Sequence, residues 1–153
     1  MKFKAWTYLG RVLYWLTQIG IRIVVRGSKR TRVLIVCDGQ FLALKHWLGD
    51  GSWTLPGGGL HNSEPVAQGA KRETQEEIGL MLNEEDFEHL GSFQTNDNGF
   101  KFTYDLFIVH LSKKTELRLQ TIEILEAKWF SANELSGLRA TSQLRRAVAA
   151  WHE

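Results

Sequence analysis

The sequence predicts a protein of the α/β class, α+β in type, in which helices cover a mixed β-sheet. Several short apolar runs with strand character are separated by turn signals, and one long helical segment lies between them. A second helical segment follows at the C-terminus. At 153 residues the chain is most simply one domain with a single core.

The predicted strands are bounded by residues typical of tight turns. They are TRVLIVC (31–37), QFLALKHW (40–47), FEHLGSFQTN (87–96), FKFTYDLFIVHL (100–111) and EAKWF (126–130). Asp38-Gly39 predicts a turn between the first two, and Asp97-Asn98-Gly99 predicts a hairpin between the third and fourth. Aromatic residues in such runs are more typical of a core than of a base-stacking surface.

Two helices complete the predicted domain. The first follows the glycine-rich stretch SWTLPGGGLHNSE and ends in RETQEEIGL. Pro65 lies near its start, Asn62 or Ser63 is a candidate N-cap, and Gly79 is well placed as its C-cap. The second helix is predicted over TSQLRRAVAAWHE (141–153).

The basic residues are concentrated at the N-terminus. Residues 1–32 contain eight of the 19 basic residues and none of the 17 acidic ones. At 100° per residue, Trp6 and Leu13 share one side of a helix and Lys4 and Arg11 the other, which predicts an amphipathic helix. We therefore expect two parts: a basic amphipathic N-terminal segment at 1–30 and a separate domain at 31–153.

Three roles are open for residues 1–25. They can pack on the domain or on a second subunit as a homodimer contact, or lie on an anionic membrane surface. Nucleic acid is the least favoured partner, because the pattern is a stripe suited to apolar burial. Arg11 and Arg22 interrupt the apolar run, which argues against a membrane span. The single cysteine, Cys37, favours a reducing cytosol, so we expect a cytoplasmic protein whose N-terminus can reach the inner face of the membrane.

The stretch RETQEEIGL places three glutamates on one helical face. Glu73, Glu76 and Glu77 stand at i, i+3 and i+4, where like charges repel one another. Alone, such a cluster is more typical of a solvated acidic face. Hard cations such as Mg²⁺ prefer oxygen ligands, and the glycines upstream can aim peptide groups at an ion or a phosphate. The combination favours a metal site.

The spacing of these residues resembles the Nudix box of the Nudix hydrolases. Gly58 is followed after five residues by Glu64, and after seven more by RETQEEIGL (72–80). The flanking WTLPGG and EAKWFSANEL are also similar to the family, so the resemblance extends over 31–153 and leaves out the basic segment. Thr74 stands where the family usually has an aliphatic residue, and Ser63 stands where a glycine is common.

The resemblance implies an α/β/α sandwich that hydrolyses a diphosphate linked to another moiety with Mg²⁺ or Mn²⁺. It implies that Arg72 and Glu64 hold the loop and helix in register, with Gly57 and Gly58 in the loop. It also implies the following metal ligands: Glu73, Glu76, Glu77 and the Gly57 carbonyl.

The resemblance leaves the general base and the substrate open. Candidates for the base are Glu73 or Glu77 in the box, and Glu123 or Glu126 from TIEILEAKWF. Signatures of the NADH, coenzyme A and ADP-ribose subfamilies are not evident, so a nucleoside triphosphate or a modified or deoxy nucleotide leads by elimination. The alternatives are a non-catalytic nucleotide-sensing domain and an RNA 5′-end pyrophosphohydrolase.

Overall fold

The structure is a computed structural model that describes residues 28–97 and 100–152. The predicted amphipathic helix and the turn residues Asn98 and Gly99 lie outside the described residues. The main elements are β1 (Lys29–Cys37), β2 (Gln40–His46), α1 (Val66–Ile78), β3 (Glu88–Asp97), β4 (Phe100–His110), β5 (Ile124–Ser131) and α2 (Ser142–Trp151). Short 3₁₀ helices occupy Glu84–Asp86 and Ala132–Gly137.

The five strands form one mixed sheet in the order β3-β4-β1-β2-β5. β1 runs parallel to β4, and the other neighbouring strands pair antiparallel. The predicted turn at Asp38-Gly39 is confirmed: Cys37 faces Gln40, and the turn residues have φ values of 50° and 71°. Two successive positive φ values are the mark of a type I′ turn, which matches the twist of the paired strands.

The two helices cover opposite faces of the sheet. One buried cluster joins α1 to the face that carries Val33, Ile35 and Phe107. The other joins α2 to the face that carries Leu34, Val36 and Leu106. Alternate residues of β1 and β4 point to opposite sides, so each strand contributes to both clusters. The expected α/β/α sandwich is confirmed, and no helix within residues 28–97 and 100–152 is long and apolar enough to cross a bilayer.

A glycine loop, residues 56–59, is inserted into the plane of this sheet. β1 pairs with β2 near their turn, at Val36 and Cys37. Closer to its start, β1 bonds to the glycine loop instead: the Thr31 amide donates to the Gly58 carbonyl at 2.9 Å, and the Val33 amide donates to the Pro56 carbonyl at 2.9 Å. The loop is therefore held in the gap between two central strands by sheet-like hydrogen bonds.

The predicted N-cap of α1 is wrong. The helix begins after Pro65, and no side chain caps it. Ser63 has a left-handed φ of 62°, and the Glu64 amide donates to the His61 carbonyl at 3.1 Å, so the preceding residues form a closed turn. The left-handed φ also explains why a glycine suits this position.

The C-cap of α1 is confirmed, and a second glycine in the helix is explained by packing. Gly79 has φ 72°, and its amide donates to the Gln75 carbonyl. Within the helix, a Cβ on Gly69 would lie 2.3 Å from Cδ2 of Leu60. A glycine inside a helix costs about 1 kcal/mol relative to alanine. The absence of a side chain at Gly69 permits Leu60, which follows the glycine loop, to pack against α1.

Candidate functional site

The loop glycines and the charged residues of α1 lie around one cavity of about 390 Å³, between the glycine loop and the charged face of the helix. We call it the box cavity. Its walls are the loop glycines and the side chains of Arg30, His46, His61, Arg72, Glu73, Glu76, Glu77, Gln120 and Glu123. Four separate parts of the chain, namely β1, the end of β2, the glycine loop and the segment before β5, thus converge on the glutamate face predicted from the sequence.

Arg72 joins α1 to the turn that precedes it. Its Nε and Nη2 donate to the two carboxylate oxygens of Glu64 at 2.8 and 3.0 Å. Nη2 also donates to the Gly59 carbonyl at 3.0 Å. These bonds, with the His61 amide on the same carboxylate, lower the pKa of Glu64 to about 2. The two-point contact fixes the guanidinium against the loop. This is the geometry expected if Arg72 and Glu64 hold the loop and α1 in register.

The remaining nitrogen of Arg72 faces the glutamate cluster. Nη1 donates to Oε1 of Glu73 at 2.8 Å and to Oε2 of Glu76 at 3.4 Å. Glu73 also lies against the loop: a Cβ on Gly58 would lie 2.4 Å from its carboxylate carbon. Only a glycine leaves the space that this carboxylate occupies. The Glu76 side chain is 54% exposed and is therefore the most exposed member of the cluster.

Glu77 is the buried member of the cluster. The residue is 3% exposed, and its Oε2 accepts a hydrogen bond from the Gly57 amide at 2.8 Å. Burial raises the pKa of Glu77 to about 8, although the Gly57 amide and the charge of Arg32 act in the opposite direction. A carboxylate in such surroundings lacks a full counter-charge, so a cation beside it would be strongly favoured.

Two further side chains surround Glu77. His46 places Nε2 3.8 Å from Oε1 of Glu77, beyond hydrogen-bond distance. Burial, with the positive charges of Arg32 and Arg30, lowers the pKa of His46, so the imidazole is neutral at pH 7. Arg32 is buried and donates to the Gly57 carbonyl at 2.7 Å. That carbonyl therefore keeps one lone pair for any further ligand.

The segment before β5 carries Gln120 and Glu123 to the cavity. The Gln120 amide donates to the Glu77 carbonyl at 2.9 Å, and the Arg118 amide donates to the Ile78 carbonyl at 2.9 Å. These bonds satisfy carbonyls that the end of a helix leaves unpaired. They also set the distance between this segment and the glutamate face. Glu126 lies elsewhere, on β5, where its carboxylate is 3.5 Å from Nζ of Lys45.

The donor set of the box cavity fits a divalent metal ion. Its carboxylate oxygens are hard ligands, and burial of Glu77 leaves negative charge that a cation would neutralise. Among the residues that the structure describes, no three acidic, cysteine or histidine groups stand close enough together to hold an ion as they are. Arg72 Nη1 lies between Glu73 and Glu76. A metal would have to draw the exposed Glu76 away from this arginine, which leaves the ligand assignment a prediction.

Sequence reasoning missed Arg30, His46, His61 and Gln120. Arg30 and Arg32 alternate in KRTRVLIVC, and a strand that began at Lys29 instead of residue 31 would have put both on one face. Nothing local indicates that the strand lies beside the glycine loop. His46 ends β2, where the pairing with β5 has an irregularity between residues 45 and 46. Such a contact depends on the register between distant strands, which the sequence does not reveal.

Known proteins share this fold and this arrangement of elements. The structure is similar to the crystal structure of a MutT NUDIX hydrolase from Burkholderia pseudomallei, with a TM-score of 0.72 and 26% identity over 82% of this chain and 98% of that one. It is also similar in fold to the NUDIX domain of Shewanella oneidensis NrtR, solved with ADP ribose, with a TM-score of 0.71 and 14% identity over 82% of this chain and 86% of that one.

Sequence comparison gives the family. Nudix hydrolase 6 of Arabidopsis thaliana is 32% identical over 122 residues, which are 76% of this chain and 40% of that protein. The chain therefore spans less than half the length of this curated relative. A family model described as the NUDIX domain matches residues 16–151, so the match begins inside the basic N-terminal segment. The chain belongs to the Nudix hydrolase family.

Proposed function

We propose that this chain is a Mg²⁺-dependent hydrolase that cleaves the diphosphate linkage of a nucleoside diphosphate joined to another group. A nucleoside triphosphate, or a modified or deoxy nucleotide, is the leading substrate. The observation that carries the proposal is the convergence of the glycine loop, the glutamate face of α1 and Glu123 on one cavity. An acidic cavity alone would repel a polyphosphate, so we expect no activity without metal.

Glu73, Glu76 and Glu77 would hold the metal, with the Gly57 carbonyl as a further ligand. Members of the family generally use a divalent metal ion. Such an ion neutralises phosphate oxygens and lowers the pKa of a water bound to it. Arg72 and Glu64 keep the loop and α1 in fixed relation, and the Gly57 amide holds one oxygen of Glu77 in place.

Glu123 is our choice of general base. Its carboxylate is exposed and lines the box cavity, and its backbone segment is bonded to the end of α1. Glu73 is bound to Arg72, and Glu77 accepts a bond from the Gly57 amide, so both have structural contacts that proton transfer would disturb. In the proposed reaction a water oxygen attacks phosphorus, the bridging P–O bond breaks, and Glu123 accepts the proton from the water.

The substrate class is supported by fold relatives and by the charge of the site. ADP ribose, present in the NrtR NUDIX domain structure, is itself a nucleoside diphosphate joined to a sugar. The identity there is 14%, so this likeness supports the class of ligand and does not choose the base or the second group.

A substrate panel tests the proposed function. Nucleoside triphosphates, their oxidised and deoxy forms, diphosphate-linked nucleotides and 5′-triphosphorylated RNA would be incubated with Mg²⁺, and the products identified. Hydrolysis that disappears with a chelator supports the proposal. Binding without turnover across the panel would favour the nucleotide-sensing alternative, and turnover of RNA in preference to free nucleotides would favour the RNA 5′-end pyrophosphohydrolase.

For the N-terminal segment we propose peripheral contact with an anionic membrane surface, which would put the protein at the cytoplasmic face. The support is the concentration of positive charge in residues 1–32. Deletion of residues 1–18 should abolish co-sedimentation with anionic vesicles and leave hydrolysis intact. A homodimer that dissociates on the same deletion would favour the second-subunit role, and loss of folding would place the segment in the core of the domain.

A further inference from the structure

Three arginines surround the glycine loop, and two of them are each held by at least three hydrogen bonds to the protein. Arg72 is bound by glutamates on two sides and by the Gly59 carbonyl. Arg32 donates through Nε to Gln143 at 2.6 Å and through Nη1 to the Thr31 and Gly57 carbonyls. The positions of both guanidinium groups are explained by these internal bonds.

Arg30 lies in the same region without comparable contacts. Its backbone forms an antiparallel bridge with Gly59, and its side chain lines the box cavity. Within residues 28–97 and 100–152, its Nε is buried and has no hydrogen-bond partner. A buried charged donor without an acceptor is unfavourable, so this atom requires an explanation.

The contact that Arg30 does make leaves its donors available. The guanidinium carbon lies over the ring of Phe102, 5.4 Å from the centroid. A cation–π contact engages the face of the guanidinium, whereas its N–H groups point outward from the edge. Glu73 and Glu77 attract the charge of Arg30 and oppose the lowering of its pKa by burial. The group is therefore a positive donor beside the carboxylates.

We propose that Arg30 binds the phosphate oxygens of the substrate's diphosphate. This assignment rests on the proposed function, since it names the residue that receives the anionic part of that substrate. The planar guanidinium suits two phosphate oxygens at once, because its N–H groups form a rigid fork that matches them. In the box cavity the carboxylates would bind the metal ion, and Arg30 would bind the phosphate oxygens. The diphosphate would therefore lie between two positive groups, the metal ion and the guanidinium.

Binding of imidodiphosphate, a pyrophosphate analogue that resists hydrolysis, tests the proposal without knowledge of the nucleoside. Calorimetry with Mg²⁺ would compare the unaltered protein with Arg30→Gln, Arg30→Lys and Lys29→Gln. We expect the dissociation constant to rise about 10- to 100-fold in Arg30→Gln, the range for loss of a charged hydrogen bond. Arg30→Lys should show a smaller rise, because it keeps the charge and loses the planar fork.

Lys29→Gln is the matched control, because it removes one positive charge from the neighbouring exposed residue of β1. We expect it to bind within twofold of the unaltered protein. If Arg30→Gln loses thermal stability and binds normally, then the arginine serves packing on Phe102 and the proposal is wrong. Equal weakening by Lys29→Gln would also overturn it, since a general charge effect would then suffice.

A second measurement covers the case in which Arg30→Gln does not fold. In the unaltered protein, the ¹H–¹⁵Nε resonance of Arg30 should shift when Mg²⁺-imidodiphosphate is added, and the signal is assigned by its absence in Arg30→Lys. An unchanged resonance at saturation, or absence of any imidodiphosphate binding, would overturn the proposal. Binding that depends on Arg30 in a protein that hydrolyses no nucleotide would contradict the proposed hydrolysis and support the role of Arg30.

Discussion

The amide of Gly57 donates a 2.8 Å hydrogen bond to Oε2 of Glu77, and this bond joins the glycine loop directly to the glutamate helix. The two residues are 20 apart in the sequence. The loop amide favours the charged form of the carboxylate, and burial favours the neutral form more strongly. The hydrogen bond thus fixes the position of Glu77, and burial favours its neutral form. A bound cation would favour the charged form instead.

The first prediction concerns the pH dependence of stability in the metal-free protein. Burial raises the pKa of Glu77 from 4.5 to about 8 on folding. Between these values the unfolded chain holds fewer protons at this residue, so its contribution to the free energy of unfolding falls as pH rises. Glu77→Gln should be more stable than the unaltered protein above pH 8, and the difference should vanish below pH 4.5.

Urea unfolding with a chelator across this pH range measures the effect. Addition of Mg²⁺ at pH 8 should stabilise the unaltered protein and leave Glu77→Gln unchanged. Parallel stability curves for the two proteins at all pH values would contradict the burial argument.

The second prediction uses the three successive glycines of the loop. A Cβ on Gly57 would lie 2.3 Å from the Thr31 carbonyl oxygen, at a φ of 128°. Gly57→Ala should therefore lower the free energy of unfolding by about 1–3 kcal/mol through backbone strain. A Cβ on Gly58 would instead displace the Glu73 carboxylate, so Gly58→Ala should weaken Mg²⁺ binding and turnover with a smaller loss of stability.

Gly59→Ala is the control for both variants, because a Cβ there has no atom within 4 Å. It should resemble the unaltered protein in stability and turnover. Thermal unfolding and metal titration separate the three cases. The same loss in all three would show that loop flexibility, and not these contacts, explains the glycines.

The third prediction separates the two later glutamates. Glu123→Gln should lower kcat by about 100-fold or more, the range for loss of a general base. Glu126→Gln should change kcat by less than about twofold, because that carboxylate forms an exposed pair with Lys45 and such pairs contribute little.

Steady-state kinetics with saturating Mg²⁺, together with thermal unfolding, give the decisive measurement. The loss in Glu123→Gln should be confined to kcat, whereas a purely structural role would lower thermal stability as well. If Glu126→Gln lowers kcat more than Glu123→Gln does, then Glu126 on β5 is the general base.

The fourth prediction concerns the bond between Glu64 and Arg72. Glu64→Gln leaves the guanidinium attached to Glu73 and Glu76, where it competes with a metal ion. Activity should fall about 10- to 100-fold, as for other residues that orient metal ligands. The pKa of Glu64 is lowered to about 2 in the folded protein, so its stabilising effect should be present above pH 4.5 and be lost as pH falls toward 2.

Glu134→Gln is the matched control for this change. Glu134 also accepts hydrogen bonds from a backbone amide and a side chain, those of Ser131, in a turn before α2. It should leave kcat and metal affinity unchanged. If Glu64→Gln behaves in the same way, then the register role of the bond is wrong.

Local signals were sufficient for much of the fold. The Asp38-Gly39 turn, the Gly79 cap and the strand at residues 31–37 were all predicted correctly, because each depends on residues close together in the chain. The prediction of a side-chain N-cap for α1 was wrong, because the helix begins after Pro65 without one. Ser63 looks like a cap in sequence, yet its left-handed φ belongs to a turn with contacts of its own.

By itself, the sequence determined that three glutamates share a helical face and that glycines precede them at a fixed spacing, since helical periodicity is a local property. The tertiary structure decided the rest. It inserted the glycine loop between β1 and β2, buried Glu77 and brought Arg30 to the cavity. It also placed Glu123, and not Glu126, at that cavity. Burial and strand register arise from contacts between distant parts of the chain, and no local pattern contains them.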